Sequence, residues 1–533
     1  MFLLPIRRAP LMTRLAILGL DGATFDVIRP LMAAGELPNI RKILEDGVSG
    51  ELQSETPPIT PPAWASMMTG LNPGRHGIYH FIRRVPGSYE TPLVDSRNFS
   101  GKDILSLLAR RGWTVGSLNV PMTYPPFPLP GGYMLSGLPM PLAGEGITWP
   151  PEMKAEIDAF LGHPYRADVD YGPYQGDREP EAEDLDRYET LRDEIFRIER
   201  DRLALVEEWL RRRPTDLFFY VVWATDRCQH YFWRFQDPSH PGYSAEGARR
   251  FGHVVRDAYR LADEFVGRVR RIVGQEVPFA LMSDHGFGPY TADFFVNRWL
   301  EEEGFLVRRR PPYWTWGGTT LSDALARLGL DALGRRLGRF GRLPVVRPKR
   351  KTRGDLRDVV WSRTRAFAAL HGICLNLRGR EPQGIVEPGE EARRTLAGIE
   401  ERLGRLRGLD GGKVFDFAAV AERTYRGPHL REAPDLQFQL AGLACLPKED
   451  WDAPALFACR RNAPISGQHR FNGIFAFQAP GVAAGNRFPG LHIRDVAPTL
   501  LHAVGEPVPI WMEGRVHAGL FPDARPPEYD DEK

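Results

Sequence analysis

Three short apolar runs, each leading to a carboxylate, constrain this chain more than any other feature of its sequence. Leu15–Leu20 runs into Asp21 and Gly22, residues 217–223 lead to Asp226, and residues 278–282 lead to Asp284 and His285. Runs of this length without polar alternation read as strands buried on both faces, as in a parallel sheet. Between the second and third, Val254, Val255, Ala258, Leu261, Phe265, Val266 and Val269 recur at helical spacing. Strands therefore alternate with amphipathic helices, and the prediction is an α/β fold around a mostly parallel sheet. Ligands of such sheets bind beyond the carboxyl ends of the strands, where polar groups hundreds of residues apart converge. One aspartate at a strand end serves equally well as a cap for the next helix; three, each with polar neighbours, favour a shared site.

Length and composition narrow the alternatives. A chain of 533 residues accommodates several domains or one large domain with insertions. Its formal net charge of +2 supplies no global field for binding a nucleic acid duplex. Cys228, Cys374, Cys445 and Cys459 lie far apart and form no C-x-x-C pair, which argues against a disulfide framework and a thiolate zinc site. A cytoplasmic location is expected. Residues 1–13 lack the shape of an export signal, and no segment approaches the roughly 18 to 20 uninterrupted apolar residues of a spanning helix.

Two regions break the strand–helix rhythm. Residues 141–200 begin rich in Pro, Asp, Glu and Tyr and continue as a charged helix, read as an insertion or lid segment. Residues 308–353 hold thirteen Lys or Arg against two acids, with Tyr313, Trp314 and Trp316 and a helical series Leu321, Leu325, Leu328. This basic amphipathic insertion, placed at 301–354, suits contact with an anionic membrane surface, a partner or an anionic substrate, and equally a solvated surface. Residues 359–377 are again β-like, and Arg394, Leu396, Ile399, Leu403 and Leu406 outline a helix. The expected organisation is one discontinuous catalytic domain over 12–300 and 355–520, followed by a disordered tail at 521–533.

The polar clusters have the composition of a metal site. Asp226 and His230, four apart, share one side of a helical turn. Asp284 and His285 reach a common point only if the chain turns, as Gly286 permits, and His469 follows Gly467 closely. Imidazole nitrogen and carboxylate oxygen without thiolate suit zinc or a similar first-row ion. A nucleophile is sought nearby. Thr60 sits among Pro57, Pro58, Pro61 and Pro62, biased toward extended geometry before a helix starting near Pro61 or Pro62. A hydroxyl at a helix mouth suits a phosphate; taken alone, Thr60 reads as an N-cap.

In this order the motifs resemble the alkaline phosphatase superfamily, specifically its nucleotide pyrophosphatase/phosphodiesterase branch: Asp21-Gly22; Thr60 with Thr69-Gly70-Leu71, Pro73 and His76-Gly77-Ile78; Asp226 with His230; Ser283 to Gly286; Gly467 and His469; Asp495 to Thr499. The likeness runs from about Leu15 to Leu501. It implies a sheet sandwiched between helices with cap segments, and two divalent ions, zinc or alternatively manganese. It implies one ion on Asp226, His230 and His469 and a second on Asp21, Asp284 and His285, with Thr60 beside it. The implied activity is hydrolysis of phosphodiester, pyrophosphate or phosphomonoester bonds of a small molecule through a phosphothreonine. A divalent ion makes a threonine alkoxide accessible near neutrality, and a pair about 3.5 to 4 Å apart stabilises attacking and leaving oxygens.

One departure concerns the substrate. Relatives carry an Asn shortly after the His-Gly-Ile stretch to hold a phosphate oxygen, whereas this chain has Tyr79-His80-Phe81. Backbone N–H groups after Thr60, His80 or Arg75 are the candidates to replace it. The segment from Thr60 to Trp64 lacks the Cys or Ser and the Arg of the sulfatase motif. Phosphomutase activity and a noncatalytic protein binding anionic surfaces through residues 308–353 are the remaining alternatives.

Overall fold

The computed structural model describes residues 13–532 apart from 100, 143, 173–184, 310–355, 452, 454 and 522–525. Its larger sheet is built on the apolar runs. Its principal strands are β1 (Leu15–Leu20), β2 (Val48–Gln53), β3 (Val115–Val120), β4 (Tyr133–Ser136), β5 (Thr148–Trp149), β6 (Leu217–Val222), β7 (Phe279–Met282) and β8 (Asn472–Gln478), in the order β2-β8-β7-β1-β6-β3-β4-β5. Strands β7, β1, β6, β3 and β4 are mutually parallel; β8 runs antiparallel to β7 and β2, and β5 antiparallel to β4. The three runs singled out in the sequence are thus the adjacent strands β7, β1 and β6, with their carboxyl ends on one edge.

Every residue of β1 and β6 is buried, because helices cover both faces of the sheet. Ala16, Leu18 and Leu20 face a layer containing the helices Pro38–Asp46, Leu185–Arg212, Ala224–Gln236 and Val254–Val273. Leu15 and Ile17 face the layer containing Thr60–Thr69, Ile104–Arg110 and Val496–Ala503. The period of two along the strand therefore separates two cores. The predicted stripe of Val254–Val273 is buried at each of its seven positions, and each large apolar side chain so buried contributes about 1.5 to 3 kcal/mol.

A second sheet is inserted between β7 and β8. It comprises Ala292–Phe295, Ala366–Ala369, Gly372–Leu375, Phe415–Val420, Leu436–Leu440, Cys445–Lys448 and Phe457–Cys459. With the helix Glu390–Leu403 it encloses a third core, including Phe294, Trp299, Ile373, Ile399, Leu403 and Phe438. The stretch 355–520, expected within one domain with 12–300, is therefore divided between two sheets with separate cores. A two-stranded ribbon, Gly286–Pro289 against Gly467–Arg470, lies between them in the chain.

Of the expected insertions, the described parts of 141–200 form β5, the helix Met153–Leu161 and the first half of the helix Leu185–Arg212, whose Leu191, Ile195 and Ile198 lie in the core. The basic stretch, from residue 310 to 355, lies outside the described residues. In the stretch 521–533, where a disordered tail was expected, Tyr529–Asp530 instead pairs in parallel with Val508–Pro509. Arg111 secures it by donating to Asp530 Oδ2 (2.5 Å) and Glu532 Oε2 (2.9 Å), a long-range pairing that local composition does not encode. All four cysteines are free, and no described helix is long and apolar enough to cross a membrane.

Candidate metal centre

Asp21 follows β1 directly and remains tied to the sheet, its N–H donating to Val222 O (3.0 Å) and its carbonyl accepting from Thr225 Oγ1 (2.6 Å). Asp226 occupies the first turn of the helix after β6, with His230 one turn on. Asp284 and His285 fill the link between β7 and the Gly286–Pro289 strand, and His469 comes from the opposing strand of the ribbon. Thr60 begins the helix Thr60–Thr69. That helix approaches β1 closely because Gly19 has no side chain: a Cβ there would lie 2.5 Å from Trp64 Cη2. The approach lets Trp64 Nε1 donate to Asp21 Oδ2 (3.1 Å).

The histidine hydrogen bonds fix what faces inward. His230 Nδ1 lies 3.0 Å from Gly467 O, His469 Nδ1 2.8 Å from Pro58 O, and His285 Nδ1 3.1 Å from Gly286 O. A carbonyl only accepts, so each Nδ1 carries a proton and Nε2 is the ring nitrogen turned to the centre, where its lone pair can meet an ion. Those atoms converge: His230 Nε2 and His469 Nε2 are 3.0 Å apart and stand 3.3 and 3.4 Å from Asp226 Oδ1. His285 Nε2 is 3.1 Å from Asp284 Oδ2, 3.8 Å from Asp21 Oδ1 and 3.3 Å from Thr60 Oγ1. Asp21 Oδ1, Asp226 Oδ1 and Asp284 Oδ2 are buried with no hydrogen-bond partner. Lone pairs and carboxylate oxygens brought together this way repel unless a cation lies among them, so the donor set fits divalent ions.

Electrostatics agree. Burial, then the charges of Asp284 and Asp226, push the Asp21 carboxyl well above its usual range. Burial likewise raises Asp284 against the opposing N–H of Gly22, with the Asp226 charge adding to the rise. At Asp226 burial also acts upward, but the facing His230 and His469 and the Arg227 guanidinium outweigh it and hold the carboxyl well below the ordinary value. Burial lowers His285 to about 4 and His469 to about 3, leaving both imidazoles neutral and open to an ion near neutrality. Two sets of mutually close donor atoms result, Asp226, His230 and His469, and Asp21, Asp226 and His285. Asp226 belongs to both, while Asp284 meets the second through His285.

The structure adds detail at several of the residues singled out in the sequence. Gly286 is not left-handed; its small size matters instead, since a Cβ there would sit 2.1 Å from Asn472 O. Thr60 makes no capping hydrogen bond. Arg75 is paired with Glu513 (3.9 Å), while His80 packs edge-on against His371 at 4.7 Å between ring centroids. Sequence reasoning also missed Arg227, which donates to Asp226 Oδ2 (2.8 Å) and Asp168 Oδ2 (2.9 Å) and so leaves Asp226 Oδ1 facing the centre. Its adjacency to Asp226 was visible; its buried partner Asp168, from the segment read as a lid, was not.

Known proteins agree with this architecture. A family model described as type I phosphodiesterase / nucleotide pyrophosphatase matches residues 15–359. No curated protein matches the chain by sequence. The structure of phosphonoacetate hydrolase from Sinorhizobium meliloti 1021, in complex with phosphonoformate, aligns at 14% identity and TM-score 0.53 over 93% of this chain and 96% of that one. Human ectonucleotide pyrophosphatase / phosphodiesterase 5 aligns at 12% identity and TM-score 0.50 over 96% of this chain and 99% of its own. Identities this low establish a shared fold, the sheet between helix layers expected of the alkaline phosphatase superfamily.

Proposed function

The chain belongs to the type I phosphodiesterase / nucleotide pyrophosphatase family, divalent-metal-dependent hydrolases of phosphoric ester bonds, and from that premise we propose that it cleaves a small phosphate ester by attack of Thr60 on phosphorus. Asp226, His230 and His469 would hold one ion, and Asp21, Asp284 and His285 a second beside Thr60. The observation that carries this reading is the convergence of three Nε2 lone pairs and three unpartnered carboxylate oxygens on the side of Thr60 Oγ1. Divalent ions bound there supply the charge that makes a threonine hydroxyl reactive and stabilises the phosphoryl oxygens.

The chain's own contribution is placement. Pro61 and Pro62 restrict the first turn of the helix that presents Thr60. Burial of Thr60, at 6% exposure, keeps bulk water from competing with its hydroxyl. Attack forms an Oγ–P bond as the bond from phosphorus to the leaving oxygen breaks. Water then cleaves Oγ–P, restoring Thr60 and releasing phosphate or a phosphate monoester. Zinc is the expected ion and manganese the alternative, distinguishable by elemental analysis.

The test is a rapid acid quench of zinc- or manganese-loaded enzyme during turnover of 4-nitrophenyl phosphate or bis(4-nitrophenyl) phosphate, followed by peptide mass analysis. The phosphoryl adduct should map to Thr60. Thr60→Ala should lose at least about a thousandfold in kcat, as expected when the attacking atom is deleted, while retaining its ions. Ordinary turnover by that variant would remove Thr60 from the mechanism. Absence of turnover by the loaded wild-type enzyme on both probes would favour the noncatalytic alternative.

A further inference from the structure

The chain leading into Thr60 has few hydrogen-bond donors of its own. Between Thr56 and Pro62, the residues Pro57, Pro58, Pro61 and Pro62 have no N–H, and the Ile59 N–H is occupied by Pro57 O (2.9 Å). Its carbonyls are therefore met from outside the segment. His469 Nδ1 lies 2.8 Å from Pro58 O, and the Tyr425 hydroxyl donates to Thr56 O. The approach to Thr60 is thus tied at two alternate carbonyls, one to the ribbon that carries a metal ligand and the other to the second sheet.

Tyr425 follows the strand Phe415–Val420 and the short helix Ala421–Thr424. It is buried in the third core, its ring edge-on to Tyr79 at 5.1 Å between centroids and 74°. Burial raises its hydroxyl well above the ordinary value, so the group remains a donor. The residues after Tyr425 lie against Pro73–His76, the short helix that follows Thr60–Thr69, at a spacing only glycine allows. A Cβ on Gly74 would sit 2.6 Å from Arg426 O, and one on Gly427 would sit 2.3 Å from Gly74 O. Asn72 closes the contact, its Oδ1 accepting from Arg426 N (3.1 Å) and its Nδ2 donating to Arg426 O (2.9 Å), while His429 N donates to Gly74 O (3.0 Å). Backbones packed this closely do not slide past one another, which sets where the Tyr425 hydroxyl stands relative to Thr56.

We propose that Tyr425 is a positioning residue for Thr60: its hydroxyl, delivered by the second sheet, fixes the Thr56 carbonyl and with it the place from which Thr60 attacks. The assignment rests on the reading of Thr60 as the attacking group. Prolines limit how the intervening residues can bend, so a hold on Thr56 O is transmitted to Thr60 rather than absorbed between them. The smaller sheet then contributes to the reaction without touching the reacting atoms.

The experiment compares ion-loaded wild-type, Tyr425→Phe and Tyr79→Phe enzymes on 4-nitrophenyl phosphate. In Tyr425→Phe the ring and its packing stay while the tie to Thr56 O is lost. Its kcat should fall about tenfold to a hundredfold, because displacing a reacting group by about 1 Å costs on the order of a hundredfold. KM and bound metal should stay within about twofold of wild type, since the lost hydroxyl bonds to a backbone carbonyl and to no metal ligand. Tyr79→Phe is the control: it removes a hydroxyl of the same aromatic pair, bonded to His429 O (3.1 Å), and should leave kcat within about twofold.

Amide hydrogen exchange of the same proteins supplies a readout independent of turnover. The peptide covering 55–66 should exchange about tenfold faster in Tyr425→Phe than in wild type, with the ribbon peptide covering 467–472 unchanged, because only the segment that lost its tie opens more often. If the wild-type enzyme turns over nothing, the reading of Thr60 fails, while this comparison still decides whether Tyr425 holds the approach to it. A kcat for Tyr425→Phe within about twofold of wild type would overturn the proposal. An equal loss in Tyr79→Phe, exchange faster over the whole chain, or exchange of 55–66 at the wild-type rate would overturn it as well.

Discussion

The larger sheet brings Asp21, Asp226, Asp284 and His285 to one edge from positions just beyond its parallel strands. The smaller sheet instead holds His371 in a left-handed turn, its ring edge-on to His80. At the strand ends, backbone hydrogen bonds and burial hold the side chains: Asp284 and His285 have no solvent exposure. At the turn, Leu370 is locked and its neighbour His371 remains half-buried. Groups that hold charge for the chemistry gain from the first arrangement, since preorganised donors need no rearrangement during reaction. A residue at a turn, by contrast, can vary in sequence without disturbing the layers beneath.

His469 is the most severe test of that contrast, because it belongs to neither sheet but to the ribbon between them in the chain. His469→Ala deletes the partner that faces His230 Nε2 at 3.0 Å and Asp226 Oδ1 at 3.4 Å. The expected outcome is loss of bound metal by elemental analysis and at least about a hundredfold loss of kcat/KM, beyond what an outer partner of a ligand typically costs. Unchanged metal content would mean that the larger sheet holds the ions without the ribbon, and would remove His469 from the ligand set.

A smaller loss is expected from Arg227→Met. Its guanidinium touches no inward-facing atom, but it fixes Asp226 by one oxygen and joins it to Asp168. Losing a partner of this kind lowers metal affinity or activity by about 10- to 100-fold. It also leaves Asp168 without its cation, so thermal unfolding should show destabilisation, up to about 3 to 5 kcal/mol for a broken buried pair. Metal titration and melting of the same preparation check both. Wild-type affinity would show that burial alone orients Asp226.

These differences also govern what was legible in the sequence. The parallel core could be read because β1, β6 and β7 are continuous apolar runs and the following acids sit where ligands of such sheets bind. His371 could not, since Leu370 and His371 are poor markers of a left-handed turn and only the fold reveals their φ. The second sheet escaped for a related reason: Ala366–Ala369 and Gly372–Leu375 are short apolar runs that look, in sequence, like further strands of the first. Gly19 read as one more small residue in a strand until the Trp64 ring lay against it.

Each sheet also buries a glutamate, and burial raises both carboxyls. Glu381, beside the smaller core, is bonded to both Arg84 and Arg380. Glu55, just beyond β2, has the single arginine Arg494 at 3.1 Å. Burial, only partly opposed by Arg494, raises Glu55 from 4.5 to about 7. The sign follows from proton counting: between pH 4.5 and 7 the folded protein retains a proton that the unfolded chain has released, so stability falls as pH rises through that window. The whole interval is worth at most about 3 kcal/mol. Glu55→Gln cannot release the proton, so its unfolding free energy should decline less than that of the wild type between those pH values, by up to that amount. Denaturant melts at the two ends of the window measure the difference. Parallel declines would mean that Arg494 offsets the burial of Glu55 and that Glu55 carries no retained proton in the folded protein.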